Sequence, residues 1–113
     1  MNIREMIQKI QEELAKGNLM PERAAELLTQ LAALLGNVNE RILECDLAYN
    51  KILLFWLQNE AKANRAKVHA ECTDEYRAKI EARNIKELTL EMIRSLKYLL
   101  KAKEEEKRVS NYQ

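Results

Sequence analysis

Apolar residues recur along this chain at spacings of three and four, with polar residues between them. Ile3, Met6, Ile7, Ile10 and Leu14 fall on one helical face, so "NIREMIQKIQEELAK" is expected to form an amphipathic helix. Asn2 can cap it, with Glu5 three residues on in a capping-box pattern, and Gly17 can supply the left-handed residue that ends it. A second helix is expected from Pro21, the favoured first helical position, carrying Ala24, Leu27, Leu28, Leu31, Leu34 and Leu35 to Gly36, which ends or kinks it.

"NVNE" then restarts the pattern, with Asn37 as a cap and Glu40 at the third helical position. From here Val38, Ile42, Cys45, Tyr49, Ile52 and Trp56 alternate spacings of four and three, which is a heptad seam. Around "ILLFWL", residues 52–57, the helix is apolar on nearly every side, and such a helix has to be covered on every side. In a chain of 113 residues this points to self-association, as a dimer or a higher even oligomer, through Tyr49, Ile52, Leu53, Phe55, Trp56 and Asn59. The seam continues through Asn59, Ala63, Ala66 and Ala70, where small residues permit close approach and a polar Asn can set register.

A further periodic run comprises Tyr76, Ile80, Ile85, Leu88, Met92, Leu96 and Leu99, before the polar tail "KAKEEEKRVSNYQ", which is expected to fray. Between the two runs, "ECTDEY" has the character of a helix start: Thr73 as cap, with Asp74 and Glu75 where the helix dipole favours acids. A break here gives two arms of nearly equal length, as an antiparallel hairpin needs. No Gly or Pro forces it, and an unbroken helix from Val38 to Lys107 would be roughly 105 Å long. Both geometries are all-α. The expected architecture is one domain, residues 1–113. It places a short helical pair (1–36) on long helices over 38–72 and 74–107, as a hairpin or continuous coiled coil within 37–113.

Composition agrees with this: 47% hydrophobic, 33% charged, two Gly and one Pro. No apolar run approaches the roughly 20 residues that span a bilayer, and the charged first residues lack a secretory core, so a cytoplasmic protein without membrane contact is expected. The two cysteines, Cys45 and Cys72, are too few for a disulfide framework. Residues 1–59 hold six Lys/Arg against eight Asp/Glu, and residues 60–113 hold thirteen against ten, so a net charge of +1 conceals a mildly basic second half.

Candidate chemistry is sparse. His69 and Cys72, three apart, cannot complete a four-ligand zinc site without partners that the chain lacks, so no metal is expected. Cys45 sits among apolar seam residues, 24 positions from the only histidine, and is better read as a small hydrophobe than as a nucleophile. There is no Gly-rich phosphate loop, nucleophile elbow or zinc-protease motif. Neither catalysis nor a cofactor is expected. Between Ala61 and Lys103, however, eleven Lys/Arg face six Asp/Glu. Lys62, Arg65, His69 and Tyr76, followed by Arg83, Arg94, Lys97, Tyr98 and Lys101, are candidates to grip phosphates and stack on a base. The plainer alternative is a solvated helical face with charge pairs. For Phe55 and Trp56 the plain reading is packing; the sharper one is a stacking platform.

The succession of a short N-terminal helix, "GNLMPERAAELLTQLAALL", "AKANRAKVHAECTDEYRAK" and "KELTLEMIRSLKYLLKAKEEE" resembles small helical proteins encoded by firmicute phages and prophages. That resemblance implies a phage accessory protein concerned with replication, recombination or counter-defence, and no catalytic residues. Three functions are therefore expected to compete. One is an oligomeric counter-defence protein sequestering a small phosphorylated immune signal in a basic pocket. Another is an accessory factor of phage DNA replication or recombination that binds single-stranded DNA or a partner protein, with weak nucleic-acid affinity given a pI near 7.7. The third is a purely structural coiled-coil adaptor.

Overall fold

The computed structural model describes residues 2–112, with side chains through residue 109. It is all-α: α1 (Ile3–Ala15), α2 (Pro21–Asn59), α3 (Ala63–Glu71) and α4 (Asp74–Tyr112), the long helices α2 and α4 packing together. The chain forms two compact units. One comprises Met1–Gly36 with Glu87–Gln113, the other Asn37–Lys86, and α2 and α4 contribute to both.

In the first unit the expected caps form. Asn2 Oδ1 accepts the Glu5 amide at 2.8 Å, and Gly17, at φ +74, ends α1 with its amide donating to Leu14 O at 3.2 Å. Only glycine takes that backbone without strain. Pro21 opens α2. The core is built from Ile7, Ile10, Leu19, Ala24, Leu27, Leu31 and Leu34 with Met92 and Leu96, and Thr89 is fully buried among them. Lys103 Nζ donates to Leu19 O at 2.7 Å, tying α4 to the turn before α2.

Two boundaries differ from the sequence expectation. Gly36 neither ends α2 nor precedes a cap at Asn37; the helix runs through both as one element of 39 residues. The reason lies in the seam. Leu27, Leu31, Leu34 and Val38 are all buried at three- and four-residue spacing, so the apolar phase crosses Gly36 without interruption. Continuity keeps every one of these side chains inward, and this outweighs the cost of a mid-helix glycine, about 1 kcal/mol. The short pair over residues 2–35 is thus α1 and the first turns of α2.

The second difference is at the far end, where the helix expected over 38–72 stops at Asn59. Asn59 Nδ2 donates to Phe55 O at 2.7 Å, competing for a carbonyl of the last turn, and Lys62 is extended at φ −112, ψ 123. α3 starts from there. The break at "ECTDEY" does form: Tyr76 N–H donates to Thr73 Oγ1 at 3.3 Å, the Thr73 hydroxyl donates to Ala70 O at 2.6 Å, and Asp74 and Glu75 occupy the first turn of α4. The chain does not double back here, however: Trp56 against His69 and Tyr49 against Tyr76 run antiparallel on both sides of Cys72–Thr73. The reversal expected at this break lies instead at residues 60–62, between α2 and α3, and α4 continues past Lys107 to Tyr112. Gln113 lies outside the described residues.

Candidate functional site

In the second unit the seam Val38, Cys45 and Tyr49 is buried, with Ile42, Ile52 and Trp56 half-buried along the same face. Ala66 and Ala70 of α3 and Ala82 of α4 are buried as well. Alanines at these inward positions let helices approach closely, because interaxial distance depends on the side chains at the contact.

Aromatic contacts define how α3 and α4 return along α2. Trp56 and His69 are stacked, with centroids 4.2 Å apart and planes at 15°. Tyr49 and Tyr76 lie 5.4 Å apart. In a continuous helix Trp56 and His69 would be about 20 Å apart, so the stack itself requires the reversal. The two pairs are seven residues apart on each side, 49 and 56 against 76 and 69, so one antiparallel register with α2 runs through the helix break at Cys72–Thr73, and the reversal is at residues 60–62. Lys79 Nζ sits 4.3 Å from the Tyr49 ring centroid, a cation–π contact. Burial raises the Tyr49 hydroxyl above its ordinary pKa of 10.0, helped by the negative charge of Glu71 and by Tyr76. His69 Nε2 lies 4.0 Å from Glu60 Oε2. Arg83 donates to Asp46 Oδ2 at 2.8 Å, across from α4 to α2.

The candidate phosphate-gripping residues are divided by this geometry. Lys62, Arg65 and His69 lie together on α3 and the bend before it, all exposed, with His69 carried on Trp56. Tyr76 is half-buried against Tyr49, and Arg83 is held by Asp46. Arg94, Lys97, Tyr98 and Lys101 belong to the first unit, all exposed. The stripe that a continuous helix would have made of Lys62, Arg65, His69 and Tyr76 does not form. Lys79 and Glu60 were missed; Lys79 follows Tyr76 by three residues, the spacing that puts it on the same face of α4.

Of the residues expected to join subunits, Tyr49 is buried within the chain, Ile52 and Leu53 are half-buried, and Trp56 is engaged by His69 and, edge-on, by Phe55 at 5.5 Å. Phe55 and Asn59 are exposed.

Elsewhere, a recess of about 320 Å³ is lined by Glu13, Lys16, Asn18, Leu19, Met20 and Arg23. Its guanidinium is already occupied. Arg23 grips Glu13 with two bonds of 2.9 and 2.6 Å and Glu26 with a third of 3.0 Å. The bonds from Arg23 hold the Glu13 carboxyl below its ordinary range and raise Arg23 itself. Among the described residues no group of three or more His, Cys, Asp or Glu is placed to hold a metal ion, and no helix is long and apolar enough to cross a membrane. Cys45 is buried and Cys72 exposed, both as free thiols.

No family model, curated protein or solved structure matches this chain.

Proposed function

We propose that this protein acts by binding without turnover, and that its ligand is a small phosphorylated molecule of nucleotide type. The supporting observation is the α3 surface. Lys62 and Arg65 are exposed beside an imidazole that is carried on Trp56 and about half open to solvent (side-chain exposure 49%). Cations there can take a phosphate, and the outer face of the His69 ring can take a base. The near-neutral net charge suits a discrete site better than a long electrostatic track. With the resemblance to phage accessory proteins, the biological reading is counter-defence: sequestration of a nucleotide signal of host immunity.

Thermal-shift titration with cyclic and linear nucleotides tests this. A bound nucleotide at about 100 times its Kd should stabilise the protein by about 2.7 kcal/mol. Arg65→Ala should weaken binding about tenfold or more, the worth of one charged hydrogen bond. No nucleotide binding below about 100 μM, where the standard free energy falls to about 5.5 kcal/mol, ends this reading.

A second reading rests on a different surface. Arg94, Lys97 and Lys101 are exposed along one side of α4, with Tyr98 77% exposed beside them. These residues suit the backbone and bases of single-stranded DNA. The signature is affinity for an oligonucleotide that falls steeply with salt and is reduced by Lys97→Ala. If neither ligand binds, the structural adaptor reading remains.

A further inference from the structure

Helix α2 carries a second seam, opposite the packed one. Leu43, Leu47, Asn50, Leu54 and Leu57 repeat at four, three, four and three, and lie within an arc of about 80°. This arc is turned away from Cys45, Tyr49 and Trp56. The four leucines are 60, 54, 55 and 45% exposed, and Asn50 between them is also exposed. A helix in solvent has no use for a heptad of leucines on its outer face; the pattern is that of a helix awaiting another helix.

We propose that a second copy of this chain packs here, with the two α2 helices parallel and in register, so that Asn50 faces the partner's Asn50. Several observations choose this occupant and orientation. The stripe is self-complementary: in register, four leucine layers form, two on each side of a single asparagine layer. An amide both donates and accepts, so Asn50 and the partner's Asn50 can satisfy each other, and one polar layer specifies alignment. Placed antiparallel with alternating layers, Asn50 would meet leucine on both strands and one end would set Glu40 against Leu57. Shifting that arrangement by one heptad would set Lys51 against the partner's Lys51. In the parallel register the flanking positions bring Lys51 toward the partner's Asp46, which already holds Arg83 on its own chain, and no like charges face across the seam. All these residues lie within one compact unit, Asn37–Lys86, and the surface does not depend on the ligand assigned above.

The test uses the full chain. Sedimentation at increasing concentration should show the 13.2 kDa chain doubling in mass. Leu47→Glu with Leu54→Glu should return it to monomer with its helical circular dichroism intact, since both side chains are more than half exposed. Orientation is read in a Cys72→Ser background, where Leu43→Cys chains should link to one another on mild oxidation with oxidised glutathione. A monomer at all concentrations overturns the proposal. So does an oligomer unaffected by the double glutamate variant. Linking of Leu43→Cys chains only to Leu54→Cys chains, and not to themselves, overturns it too, because that is the antiparallel result.

Discussion

The two compact units use the same helices to opposite effect. In the first, large aliphatic side chains go inside: Leu27, Leu31, Leu34, Met92 and Leu96 are buried, and α2 turns mostly short or polar residues outward. In the second, the interior of α2 is Cys45 and Tyr49 against alanines, while Leu43, Leu47, Leu54 and Leu57 stand outside. Apolar content alone therefore does not tell a core from an interface. What distinguishes them is which apolar face of the helix finds an intrachain partner, and the second unit has more apolar faces than it has helices to cover them.

The comparison breaks most visibly in the leucines. Leu31→Ala should destabilise the chain by about 2–5 kcal/mol in chemical denaturation, since a fully buried leucine leaves a cavity. Leu54→Ala should change monomer stability by no more than about 0.5 kcal/mol, the usual limit for an exposed site. If Leu54→Ala proved as costly as Leu31→Ala under conditions where the chain is monomeric, the outer seam would be core after all.

Next in size is overpacking. Ala66→Leu should cost about 1–3 kcal/mol, because the position is fully buried where α3 lies against its neighbours. His69→Ala should cost about 0.5–1.5 kcal/mol through loss of the stack, and the emission of Trp56, the only tryptophan, should change with it.

The glycines sharpen the same contrast at smaller scale. Gly36→Ala should stabilise by about 0.5–1 kcal/mol, since the position is helical and a methyl group there meets nothing within 4 Å. Gly17→Ala should instead destabilise by about 1–2 kcal/mol, because its φ of +74 is left-handed. Thermal melts of the two variants should move in opposite directions.

The smallest effect is the pH response. A tyrosine whose folded pKa is raised stabilises the fold fully below its unfolded pKa, about 10, and loses that contribution as pH climbs through the folded value. The wild type should weaken more steeply above pH 10 than Tyr49→Phe, measured by denaturant midpoints at matched pH. Glu13 works in the other direction. Its lowered pKa means that its contribution is present above pH 4.5 and is lost as pH falls through the folded value, so Glu13→Gln should flatten the acid side.

Much of the fold was legible because its signals are local. Asn2, Gly17, Pro21 and Thr73 act on backbone groups within three residues, so a cap, a left-handed stop or a helix start can be read without knowing what lies opposite. The seam from Val38 to Trp56 was legible for a related reason: its period is a property of one helix. Of the candidate site, Lys62, Arg65 and His69 as neighbouring basic residues of one stretch were within reach, but not the bend at residues 60–62 beside them. That Arg94, Lys97, Tyr98 and Lys101 belong to the other compact unit was not within reach either, because it depends on how the chain divides into units.

The sequence by itself determined the helical class, the caps at Asn2 and Thr73 and the inner seam, each from interactions no longer than one or two helical turns. Only the tertiary structure decided that Gly36 lies inside a helix, that the chain bends at residues 60–62, that His69 rests on Trp56, and that a leucine face of α2 is left outside. Each is a contest between a local preference of about 1 kcal/mol and burial summed over many side chains. That sum depends on partners far apart in the chain, which no local pattern records.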